Sequence, residues 1–150
     1  MATTATDPQQ TGRCGTPMPR PLPEGLTASF PPEPVRVGQI RRLATEQLAF
    51  WNIERCAGVV ALVASEMVTN ALHHGGGHDI VFALWYFRES GEVRIDVADG
   101  SSERPVVLSP DGERESGRGM VLVDALTDRW SISPDGTNMQ ATVAVESCAA

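Results

Sequence analysis

The stretch from Arg55 to His74 has the period of a helix, and that helix has to be buried. Val60, Val63, Ala64, Met67 and Ala71 recur at helical spacing and make one apolar stripe. Glu66, Asn70, His73 and His74 make a second stripe, because residues three and four apart share a helix face. One residue step is about 100°, so the polar stripe lies beside the apolar one and borders the core rather than pointing straight to water. Three glycines, Gly75 to Gly77, end the helix. Whatever this chain folds into must cover one side of that helix and leave a carboxylate and a carboxamide at the margin of the core.

The flanking segments supply the cover. Pro34 suits the first turn of an earlier helix, in which Val37, Ile40, Leu43, Ala44, Leu48 and Trp51 keep helical spacing. Arg36, Arg41 and Arg42 lie off that stripe, on a solvated face or a partner-binding one. After the glycines the period changes to two. "DIVFALWYF" (79–87) is apolar on both parities, as expected of a central strand or one buried on both sides. "EVRIDVAD" (92–99) alternates, with Val93, Ile95 and Val97 on one face and Arg94 and Asp96 on the other. Gly91 marks a hairpin turn between them. By the same parity Asp99 ends its strand on the apolar face. Residues 100 to 117 form a long loop, of the length that serves as a lid in compact domains. Ser116 is placed to cap the helix that follows through "VLVDAL". "DRWSISP" and "MQATVAVE" close the chain as a strand pair. "LTASF" (26–30) is a short edge strand before Pro31 and Pro32.

The predicted fold is therefore α+β: a two-layer sandwich of one mostly antiparallel sheet, of four or five strands, with three helices on one face. Residues 1–25, rich in Pro, Thr, Gln and Gly, are expected to be a disordered tail, residues 26–146 the domain, and residues 147–150 a frayed end. A net charge of -7 argues against broad attraction to nucleic acid or anionic lipid. No apolar run approaches the roughly 18 residues of a membrane span, and the first ten residues lack an apolar leader core. The odd set Cys14, Cys56 and Cys148 is expected to stay reduced, which fits a cytoplasmic location. No Cys-x-x-Cys pair accompanies His73, His74 and His78, so zinc is not favoured.

The polar features fit one ligand chemistry. An Asn carbonyl oxygen is a hard neutral donor suited to Mg²⁺, which also takes phosphate oxygens. An ionised Asp accepts a hydrogen bond from an exocyclic amine such as that of adenine. Backbone N–H groups at a glycine-flanked helix start, Gly117-Arg118-Gly119, suit phosphate. Together they describe ATP with magnesium.

These residues, in this order, resemble the GHKL ATP-binding domains (Bergerat fold), and among them the bacterial anti-sigma-factor serine kinases. The resemblance covers residues 26 to 146. "SEMVTNALHHG" is similar to the family's N box, which implies Glu66 as catalytic base, Asn70 as Mg²⁺ ligand and His74 as the trailing histidine. "VADGSS" resembles the first glycine box and implies that Asp99 holds the adenine amino group, with Ser101 in the same box. Ser101 and Glu103 stand there where the family has glycine. "GRGMVLVDAL" resembles the second glycine box, with Gly117, Arg118, Gly119 and Met120 beside the nucleotide. Thr142 resembles the threonine that supports the adenine-binding Asp. The resemblance implies a Mg²⁺-ATP-dependent protein serine kinase that binds a sigma factor, phosphorylates an anti-anti-sigma protein and forms a homodimer. The alternatives are an ATP-binding interaction module without turnover and the catalytic domain of a sensor histidine kinase.

Overall fold

A computed structural model describes residues 23–99 and 115–148 of the chain, with the side chains of 115–118 excepted. The elements run β1 (Glu24–Phe30), α1 (Val35–Phe50), a 3-10 turn (Glu54–Cys56), α2 (Ala57–His74), β2 (Ile80–Phe87), β3 (Glu92–Ala98), α3 (Glu115–Leu126), β4 (Arg129–Ile132), β5 (Asn138–Ala144) and a last 3-10 turn (Val145–Ser147). The five strands make one antiparallel sheet in the order β1-β2-β3-β5-β4. This is the predicted α+β architecture, with three helices against the sheet.

Each boundary has a local cause. Helix α1 stops where Asn52 takes a left-handed φ of 63°, a conformation open to Asn because its short polar side chain bonds locally. The β2–β3 hairpin turns on Gly91 at φ 70°, and the Gly91 N–H donates to the Phe87 carbonyl at 2.8 Å. Strand β1 starts at Glu24, two residues ahead of the sequence expectation, because pairing runs on from Leu26 through Gly25 to Glu24 opposite Tyr86. Helix α3 already includes Glu115, so Ser116 lies inside the helix and not at its cap.

The core lies between the sheet and the helices. It is built from Ile40, Ala44 and Leu48 of α1, Val60, Val63, Ala64 and Met67 of α2, Met120 and Val123 of α3, and the inward parity of the strands, Phe82, Leu84, Val93, Ile95, Val97, Ala141 and Val143. By length and apolar composition Glu54–His74 would pass as a membrane span, contrary to the expectation that no segment comes close. Counting uninterrupted apolar runs missed it because Ser65, Glu66, Thr69 and Asn70 break the run. In the fold its apolar surface is used against α1, α3 and β3.

No second helical layer covers the other sheet face among the described residues. The double apolar parity of β2 has a different explanation there. Trp85 packs against Gly25 of β1, where an added Cβ would stand 2.2 Å from the ring. Its indole N–H donates to Asp96 at 3.0 Å. Burial is the main influence on the Asp96 carboxyl and raises its pKa, against the opposing pull of Arg94 and the Trp85 hydrogen bond.

The cysteine expectation fails. Cys56 and Cys148 form a disulfide, with Cα atoms 5.2 Å apart across 92 residues of sequence. The 3-10 turn that leads into α2 and the turn that follows β5 meet at one end of the sheet, where the Val145 N–H donates to the Gly91 carbonyl at 2.7 Å. Sequence spacing carries no trace of that meeting. Cys148 is only 7% exposed, so the chain is anchored at this position and not frayed. The count of cysteines therefore gives no argument for a reducing compartment.

Candidate functional site

Helix α2 organises the site. Its apolar stripe is buried and its second stripe lies at the margin, as the helical spacing required. Glu66 and His74 are half-buried, Asn70 is 5% exposed and His73 is exposed. The Oδ1 atom of Asn70 is buried and accepts no hydrogen bond. A carbonyl in that state costs about 1–3 kcal/mol unless something satisfies it. A helix selected only for packing would put an apolar residue at this position. A cation or a cation-bound water meets the need directly, and a neutral amide oxygen is a fitting hard donor for Mg²⁺.

Two glycines bring the other motifs onto α2. A Cβ on Gly119 would stand 2.6 Å from Oε1 of Glu66, so α3 lies against the carboxylate itself, and a larger residue there would have to displace it. A Cβ on Gly75 would meet the Ala71 carbonyl at 2.5 Å and the Asp99 Cβ at 3.3 Å. The end of α2 is thereby pressed against the end of β3. Gly75 has φ -82°, so it is needed for this close approach and not for an unusual backbone angle. In the sequence Gly75 reads only as a helix stop, because a glycine after His73 and His74 gives no sign of what crosses behind it.

Asp99 is 6% exposed, on the helix-facing side of the sheet as its parity required. Its N–H donates to the Thr137 carbonyl at 3.0 Å. A buried carboxylate beside a close-packed helix end suits recognition of an amine. Gly117 and Arg118 lie in α3, near the amino-terminal limit of its described residues. Gly119 follows, buried against Glu66. Ser101, Glu103 and the rest of the lid segment lie outside the described residues.

One assignment needs correction. Thr142 is on the wrong face. It pairs with Arg94 of β3 and Arg129 of β4, both of outward parity, while its neighbours Ala141 and Val143 face the helices. It lines a small hollow with Phe87, Ser90, Glu92, Arg94 and Arg129, across the sheet from Asp99. The threonine that does adjoin Asp99 is Thr137, by its backbone; its hydroxyl donates to Asp135 at 2.8 Å. Met120, next to Gly119 in α3, is 2% exposed and packs in the core.

The arrangement thus gathers Glu66, Asn70, His74 and Asp99 along one helix and the strand end it touches, with Gly119 of α3 against Glu66. No curated protein matches the chain. Residues 30–143 match the family described as Histidine kinase-like ATPase domain. That match spans both glycine contacts and all of α2, and the chain belongs to the histidine kinase-like ATPase domain family.

Proposed function

We propose that the chain is a Mg²⁺-ATP-dependent protein serine kinase that also binds a sigma factor, and that its substrate is a serine of an anti-anti-sigma partner. The observation that carries this reading is the buried, unsatisfied Oδ1 of Asn70, one helical turn beyond Glu66. Asn70 would hold the metal. Asp99 would accept the adenine amine, and the N–H groups at the start of α3 would face the phosphates. Magnesium, when bound, supplies charge neutralisation on the γ-phosphate. Glu66 is one turn, about 5.4 Å along the axis, from the metal ligand, so its carboxylate can take the proton of a serine hydroxyl presented there. A carboxylate at this place favours a hydroxyl acceptor over a histidine one. The same reading has the protein act in the cytoplasm, as a homodimer, without contact to nucleic acid or membrane.

An ATP-binding module without turnover is the second reading, favoured by Ser101 and Glu103 in the first glycine box. Radiolabelled ATP and candidate serine-bearing partners separate the two. Glu66→Gln should slow phosphorylation by about 10²–10⁴-fold, the usual share of a general base, with ATP affinity unchanged. Equal rates for the wild type and Glu66→Gln remove Glu66 from the mechanism. ATP binding without phosphorylation of any partner leaves the module.

A further inference from the structure

The outer side of the α1–α2 pair carries a feature that nucleotide binding does not use. Arg41, Thr45, Ala57, Gly58, Ala61 and Leu62 line a hollow of about 390 Å³. A second, of about 270 Å³, adjoins it through Arg41 and Thr45 and extends to Arg42 and Glu46. The floor is apolar: Leu62 is 37% exposed, and nothing lies within 4 Å of where a Cβ on Gly58 would stand. Arg41 and Arg42 are exposed at the rim. Neither enters an ion pair among the described residues, although Glu46 lies one helical turn from Arg42. Unpaired cations beside an apolar floor, on a chain of net charge -7, form a local exception to its electrostatics.

We propose that this groove docks an acidic segment of a partner protein, one apolar side chain seated on Gly58 and Leu62 and carboxylates on Arg41 and Arg42. Geometry ties the groove to the site. Leu62 and Glu66 are four residues apart along α2 and so are neighbours on its surface. A segment seated on Leu62 is one turn, about 5.4 Å, from Glu66. Docking here holds the rest of the partner beside the carboxylate. That orientation rests on the kinase reading; the docking itself does not.

Two fluorescein-labelled synthetic helical peptides test it by anisotropy. Both carry a leucine stripe; one flanks it with glutamates, the other with lysines. The glutamate peptide should bind at least about tenfold more tightly, and its binding should weaken with added salt. The double variant R41E/R42E should reverse the preference. Gly58→Leu should abolish binding by filling the hollow, and it is compatible with the helix because leucine is a better helix former than glycine. Thermal melts confirm that each variant is folded. ATP affinity, titrated in parallel, should be unchanged in all of them. Equal binding of the two peptides, no binding of either, or an unreversed preference in R41E/R42E overturns the proposal. A change in sedimentation of the unliganded chain on Gly58→Leu would make the occupant a second copy and overturn it as well. Failure of ATP to bind the wild type, with peptide binding retained, would count against the kinase reading alone.

Discussion

Replacing Asn70 by leucine sets the two readings of α2 against each other. The side chain is 5% exposed and its Oδ1 has no partner. If the carboxamide is there for a ligand, the ligand-free protein carries an uncompensated cost of about 1–3 kcal/mol at that oxygen. Leucine, similar in shape and wholly apolar, removes it. For a chain of this size each kcal/mol moves Tm by about 2–4 °C. Asn70→Leu should therefore melt at the wild-type temperature or up to several degrees above it. Its ATP affinity should lose the increment that magnesium provides, while magnesium-free ADP binds nearly as before. Differential scanning calorimetry gives the first quantity and isothermal titration, with and without magnesium, the second. A drop in Tm of several degrees with the magnesium increment intact would mean that Asn70 holds the helix and not a metal.

Asp99→Asn should lower ATP affinity about 10- to 100-fold, since hydrogen bonds to charged groups contribute roughly 1.5–3 kcal/mol; GTP, lacking the amine, should bind the wild type poorly in the same titration. Asp96→Asn should raise Tm at pH 7. The folded pKa of Asp96 lies above its unfolded value, so the ionised form costs stability above that pKa and the gain should shrink as pH falls through it in a series of melts. Thiol titration of the denatured, unreduced protein should find Cys14 alone reactive. Reduction should expose all three cysteines and lower stability by roughly 4–5 kcal/mol on the chain-entropy estimate for a loop of this length.

The element order was readable because burial imposes two distinct periods, 3.6 on α1 and α2 and 2 on β3, and glycine or proline stands at the breaks. Glu66, Asn70 and Asp99 stood out as polar residues on faces that packing alone would fill with carbon. Thr142 shows the limit of the method. Parity assigns residues to two faces but does not say which face the helices cover, and Thr142 lies between two apolar neighbours that took the inner one. Gly75 and Gly119 show another limit. A close approach involves two segments, and the sequence displays only one of them at each position. The disulfide is the extreme case: two cysteines 92 residues apart become neighbours only once the sheet has brought two turns together.

That bond also gives the molecule a ring. The covalent loop from Cys56 to Cys148 contains α2, Asp99, residues 100–114 and α3, while β1 and α1 hang outside it on the amino-terminal arm. A single protease cut anywhere inside the ring opens it without releasing a fragment. The nicked chain would run as one species on a non-reducing gel and as two on a reducing gel. A cut between β1 and α1, by contrast, separates a piece under both conditions. Asp99 and Glu66 on one side of a cut within residues 100–114, and α3 on the other, would thus remain tethered to one another, at an effective concentration that no dilution of the sample would change.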